Sequence, residues 1–300
     1  MYPQYPYYGF KQVTQQVPIA FPPQHQEVHP GLEYEMIPRP ISEDPHYRSG
    51  NKLHNKVAII TGGDSGIGRA TAIAFAKEGA NITIVYLNEH QDAAETRERV
   101  ESLGGKCLVI SADLRKEETS QQVVKQTIET FGKKLDILIN NAAVQYVQSS
   151  ILDISSEQLE NTFRTNVFAI FYMTKAALPY LKNGSSIINT ASITAFQGQK
   201  FLIDYSATKG AVTTFTRSLS LSLVEHGIRV NNVAPGPIWT PLIPSSFSAE
   251  QVTQFGLETP MKRAGQPFEL APAFVYLASD DSRYVTGQTI HVNGGVILNT

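Results

Sequence analysis

The stretch Thr61-Gly62-Gly63-Asp64-Ser65-Gly66-Ile67-Gly68 constrains this 300-residue chain more than any other. It follows Val57–Thr61, a run rich in β-branched residues that reads as a buried strand. It precedes residues 69–79, which read as a helix with Ala70, Ile73, Ala74 and Ala76 on its apolar side and a glycine at its end. Gly62 and Gly66 reach backbone angles closed to other residues and let a ligand come close. The amino terminus of the following helix offers free N–H groups and partial positive charge to a pyrophosphate. Glycines in a turn are usually only a turn. Between a first strand and a first helix, however, they stand where dinucleotides bind.

Downstream, short apolar runs alternate with helical stretches. Residues 81–87, 107–110, Ile137–Asn140, Ser186–Thr190, 229–233 and 290–292 repeat the strand signal, and 92–103 reads as the second helix. These strands are continuously apolar, which implies a parallel sheet covered on both faces. The expected class is α/β, a Rossmann-type doubly wound parallel sheet in one domain over residues 51–300. Residues 1–50 differ, with nine of the 17 prolines and six of the 13 tyrosines. Prolines at 3, 6, 18, 22, 23, 30, 38, 40 and 45 exclude a long helix or a central strand there. Two readings stand: an extended polyproline-like arm, or an arm packing its aromatic residues onto the domain or a neighbouring subunit.

Composition removes several classes of function. With 25 basic and 27 acidic residues the net charge is -2, so no broad basic surface faces nucleic acid. The longest apolar run, 167–173, is far short of the ~20 residues of a membrane span. No basic-then-apolar leader is present, and with a single cysteine, Cys107, no intrachain disulfide forms; the expectation is a cytoplasmic protein. His90, His226 and His291 are scattered, so no metal site is expected.

Proton transfer has its own signature. Tyr205 and Lys209 lie four residues apart near the start of a helix running to about His226, which sets them about 40° apart on one face. A lysine beside a phenol favours the phenolate. Bringing a tyrosine from about 10 toward neutrality takes about 3 pKa units, or roughly 4 kcal/mol, more than one ammonium readily gives.

Here the chain resembles the classical short-chain dehydrogenase/reductase family over roughly residues 52–300, and within it a Bacillus-type group of oxidoreductases with the same glycine loop. Its Thr-Gly-x-x-x-Gly-x-Gly pattern is met by Thr61, Gly62, Gly66 and Gly68. The resemblance implies cofactor contacts from Gly62, Asp64, Ser65, Gly66, Ile67 and Gly68, from Leu87 and Asn88, and from Asp113 and Leu114 at the adenine. It implies further contacts from Asn140 and Ala142 in Asn140-Asn141-Ala142-Ala143, where Ala143 replaces the family's glycine. Pro235, Gly236, Ile238 and Thr240 match the loop over the nicotinamide. By the same resemblance Tyr205 is the general acid/base, Lys209 lowers its pKa and holds the ribose, Ser192 orients the substrate oxygen, and Asn166 holds a relay water. A homotetramer is the family expectation; the apolar residues on several faces of 159–181, Phe168 and Phe171 among them, leave a face for it.

The implied enzyme moves hydride between a nicotinamide dinucleotide and an alcohol or carbonyl substrate. No arginine or lysine stands in the glycine loop or just after the second strand, and Asp64 and Glu89 would repel a 2′-phosphate, so NAD is expected ahead of NADP. Yet Tyr86 occupies the strand-end position where NAD enzymes carry an acid. Gln145, Thr194, Gln197 and Trp239 are candidate substrate contacts, although Trp239 fits a packed loop equally well. Residues 240–255 read as an irregular lid. Two rival functions remain: a catalytically silent nucleotide sensor or scaffold, against which the full Asn166, Ser192, Tyr205 and Lys209 set speaks, and an interaction protein working through its arm.

Overall fold

In a computed structural model, residues 19–132 and 134–298 are described. Seven parallel strands carry the fold: β1 (Val57–Thr61), β2 (Asn81–Tyr86), β3 (Cys107–Ser111), β4 (Ile137–Asn140), β5 (Ser186–Thr190), β6 (Arg229–Pro235) and β7 (Thr289–Val292), in the order β3-β2-β1-β4-β5-β6-β7. The helices are α1 (Gly66–Lys77), α2 (His90–Ser102), α3 (Glu117–Phe131), α4 (Ser156–Phe163), α5 (Ala169–Ala177), α6 (Thr194–Gln197), α7 (Ile203–Leu223), α8 (Ala249–Val252) and α9 (Pro267–Ala278).

Both faces of the sheet are buried, as continuous apolar strands require. Ala58 and Ile60 of β1 face a cluster with Phe75 of α1, Ala93 of α2 and Phe274 of α9. Val57 and Ile59 face the opposite cluster, with Val123 and Ile128 of α3, Met173 of α5 and Leu223 of α7. The sheet is therefore doubly wound. The strand order reverses between β1 and β4, which opens a crevice at their carboxyl ends.

The 159–181 helix is not continuous. It breaks into α4 and α5 around a π turn at Arg164–Phe168, a one-residue insertion that hydrophobic periodicity does not register. The 19–50 segment lies along the domain. Phe21 stacks on Trp239 with ring centroids 3.8 Å apart, and Phe21, Met36, Trp239, Ile243 and Val252 form a third, smaller core. Tyr47 donates to Glu78, whose carboxylate also takes the Gly50 and Lys52 amides. Aromatic anchoring therefore holds for this part of the arm, while Tyr2, Tyr5, Tyr7 and Tyr8 lie outside the described residues.

Candidate active site

A cavity of about 860 Å³ runs from the glycine loop, past the ends of β4 and β5, to the 240–255 segment. Its floor is built by close approach. A Cβ on Gly68 would lie 1.8 Å from the Gly62 carbonyl oxygen, so only glycine lets α1 start this near β1. Gly66 has φ +50°, and Thr240 crowds it from the far wall. Thr61 Oγ1 accepts the Asn141 and Ala142 amides at 2.9 and 3.1 Å, which ties the β4 loop to the glycine loop.

Gly62, Asp64, Ser65, Gly66 and Ile67 line one end, with Leu87, Asp113, Leu114 and Ala142 beside them. Ser192, Tyr205 and Lys209 line the centre; Gln145, Thr194 and Gln197 flank them, and Pro235, Gly236, Ile238 and Thr240 close the far wall. Five sequence candidates do not reach the cavity wall. Gly68 is spent on its contact with Gly62. Asn88 is exposed and gives its amide to Glu89. Asn140 turns its carboxamide into the sheet, donating to Asn189 Oδ1 at 2.8 Å, while Asn141 fronts the cavity. Asn166 is buried in the π turn. Trp239 is buried under Phe21 and donates Nε1–H to the Pro38 carbonyl at 2.8 Å, so it is a packing residue of the arm and not a substrate contact.

Geometry then assigns what each side chain can do. Ser192 Oγ accepts from the Thr194 amide and hydroxyl, both at 3.1 Å, so its own proton is free to donate. Lys209 Nζ donates to the Thr190 carbonyl at 2.8 Å and lies 5.5 Å from the Tyr205 ring centre. Burial dominates both titrations: it lowers Lys209 to about 7 and raises Tyr205 to about 12, with the nearby Ser192 hydroxyl pulling the phenol back only in part. The phenol is thus held protonated. Asn166 accepts the Val144 amide at 2.8 Å and donates to the Val144 carbonyl and Thr208 Oγ1, bracing the β4 loop against α7 at the π turn.

Glu89 is a residue whose position the sequence pattern left open. It is buried, accepts the Leu87 and Asn88 amides on Oε2, and leaves Oε1 without a partner. It lines the cavity beside Asp64, which burial and Glu89 together push up to about 7. The signal was its place at the start of α2, three residues past β2. His29 and Pro30 of the arm also line the cavity. No proline pattern reveals that placement.

Among the described residues, no helix is long and apolar enough to cross a membrane, and no group of three His, Cys, Asp or Glu side chains is arranged to hold a metal. A family model described as enoyl-(acyl carrier protein) reductase matches residues 62–297. The chain is 64% identical to the uncharacterized oxidoreductase YhxC of Bacillus subtilis (strain 168), over 93% of this chain and 97% of that one. It is 53% identical to a glucose and ribitol dehydrogenase of Daucus carota, covering 93% and 98% respectively. A short-chain dehydrogenase from Burkholderia cenocepacia, crystallised in complex with NADP, superposes with a TM-score of 0.76 at 28% identity, over 81% of this chain and 98% of that chain. With its glycine cradle, its Ser192–Tyr205–Lys209 wall and these likenesses, the chain belongs to the short-chain dehydrogenase/reductase family of oxidoreductases.

Proposed function

We propose that the protein reversibly converts a small polyhydroxy alcohol and its carbonyl form, with NAD as the dinucleotide and Tyr205 as the proton carrier. The observation that carries this reading is the placement of Ser192, Tyr205 and Lys209 on the wall of the cavity that begins at the glycine loop. The residues present fit a dinucleotide. The Gly62–Gly68 contact lets α1 start close against β1 at the cavity end, and the unpartnered Oε1 of Glu89 suits a ribose hydroxyl donor. In this reading Ile67 holds the pyrophosphate at the start of α1 beside Thr240, Glu89 and Asp64 hold the adenosine ribose, and Pro235 and Gly236 take the nicotinamide end.

When bound, the nicotinamide supplies or takes up hydride. Tyr205 donates its proton to the substrate oxygen in reduction and receives it back in oxidation. Ser192 donates to the same oxygen as charge develops on it. Lys209 supports the phenolate only while protonated, and burial lowers its pKa to about 7. Gln145, Thr194 and Gln197 offer hydrogen bonds suited to hydroxyl groups, in keeping with the name of the carrot relative.

Two buried carboxylates at the ribose position oppose a 2′-phosphate. The expected outcome is a kcat/KM for NAD about a hundredfold above that for NADP at pH 8, equivalent to about 2.7 kcal/mol. A panel of sugars, polyols and small carbonyls, followed by nicotinamide absorbance, reads both substrate class and cofactor choice. A preference for NADP overturns the cofactor assignment, and turnover confined to substrates without hydroxyl groups overturns the substrate class. The exposed Phe168 and Phe171 support a homotetramer as the working form.

A further inference from the structure

We infer that the arm is a strap of the dinucleotide site and that Glu33 is a positioning residue for its glycine loop. This rests on the reading of the cavity as a dinucleotide site. Helix α1 lacks a cap of its own: Ser65 stands at the cap position, and its side chain makes no capping hydrogen bond. The cap comes instead from Glu33, far upstream in sequence. Its Oε2 accepts the Gly66 amide, the first of the helix, at 2.6 Å. The next amide, that of Ile67, has no acceptor among the described residues, and Ile67 lines the cavity.

Glu33 is almost completely buried, and burial pushes its carboxyl upward against the pull of Arg69. Arg69 NH1 donates to Glu33 Oε1 at 2.5 Å, while its Nε donates to the Asp64 carbonyl of the glycine loop at 2.9 Å. The same guanidinium reaches the Asp92 carbonyl at 2.8 Å. The Glu33 amide in turn donates to Asp92 Oδ2 at 2.7 Å. Arm, glycine loop and α2 therefore meet at one ionic cluster, in which Arg69 and Arg39 both face Glu33, Asp92 and Glu95. An uncompensated charge in such a place is costly, so the arrangement is either complete or relaxed.

The other edge of the strap holds the opposite wall. The Gln26 amide donates to the Pro244 carbonyl at 2.8 Å, and Ser245 Oγ donates to the Pro30 carbonyl at 2.9 Å. Gly31, at φ +102°, lies so near Pro241 that a Cβ would sit 2.4 Å from its carbonyl oxygen. One short segment thus spans from the start of α1 to the lid. Its docking fixes the distance between the two walls that grip the dinucleotide.

The chain holds a reporter, because its single tryptophan lies under the arm. Full-length Glu33→Ala should bind NADH about tenfold more weakly in a fluorescence titration, the scale of one lost charge-assisted hydrogen bond. Its kcat at saturating dinucleotide should stay within about threefold of wild type. Glu33→Gln keeps an oxygen for the Gly66 amide and should recover part of the affinity; being isosteric, it also serves if the alanine variant does not fold. Unchanged Trp239 emission in a weakened variant places the effect at the glycine loop, and a red shift places it in release of the strap; both support the inference. Wild-type or tighter NADH affinity in both variants overturns it. A wild-type chain that binds no dinucleotide overturns the underlying reading as well, so the two failures are distinct.

Discussion

Asp64 shows how single residues in this site carry opposing demands. It serves the cavity from a buried position beside Glu89, and its carboxyl is pushed up to about 7. In an unfolded chain it ionises near ~4. Between those values the folded protein keeps a proton that the unfolded chain has lost, so this group's stabilisation fades as pH rises through the window, by at most about 1.4 kcal/mol per pH unit. Asp64→Asn should therefore gain thermal stability relative to wild type as pH moves from 4 to 8, measured by unfolding temperature. A gap that stays constant with pH contradicts this account. Asn166 gives a second test at this scale. Its side chain satisfies both the amide and the carbonyl of Val144. Asn166→Ala should cost about 2–5 kcal/mol in denaturant unfolding, because two buried backbone groups lose their partner.

Among the elements, strands were the most legible in sequence. β1, β4 and β5 fall on the runs that β-branched residues mark out, and the others differ only at their ends. Helices were legible in kind but not in their starts. α1 begins at Gly66 and not at residue 69, because its cap is a carboxylate from a remote segment and no local pattern contains it. The π turn at Arg164–Phe168 escaped periodicity for the same kind of reason: its support is tertiary, through Asn166 to the β4 loop. Of the candidate site residues, Gly62, Asp64, Ser65, Gly66 and Ile67 of the glycine loop line the cavity where their spacing sets them. Asn140 turns into the sheet, Asn166 braces the β4 loop and Trp239 packs under the arm, because side-chain direction depends on neighbours far along the chain. The turn after β2 carries its own prediction. As pH falls from 8 to 6, protonation of Asp64 removes one of the two charges facing a 2′-phosphate. The NAD-over-NADP ratio in kcat/KM should shrink over that range; a ratio that grows contradicts the assignment of Asp64 and Glu89 to the ribose.

Over the whole molecule, the prolines told what the arm is not, and only the fold told where it lies. Phe21, Glu33 and Met36 are among the residues that dock it, and each meets a partner distant in sequence. The apolar face of α5 belongs to the same scale. Phe168 and Phe171 are 40% and 45% exposed, with Phe171 resting on Phe215. If the proposed homotetramer forms through this face, Phe171→Glu should give a smaller species than wild type by light scattering after size exclusion, and an unchanged mass contradicts a role for the face. The proposed function turns on one step, in which the protonated phenol of Tyr205 on the cavity wall delivers the proton that accompanies hydride transfer. The most direct measurement is Tyr205→Phe, assayed for NADH binding and for turnover with the best substrate of the panel. The account predicts a dissociation constant within about threefold of wild type and a kcat lowered about a thousandfold, within the range of general acid–base catalysis. Turnover within about tenfold of wild type would contradict it.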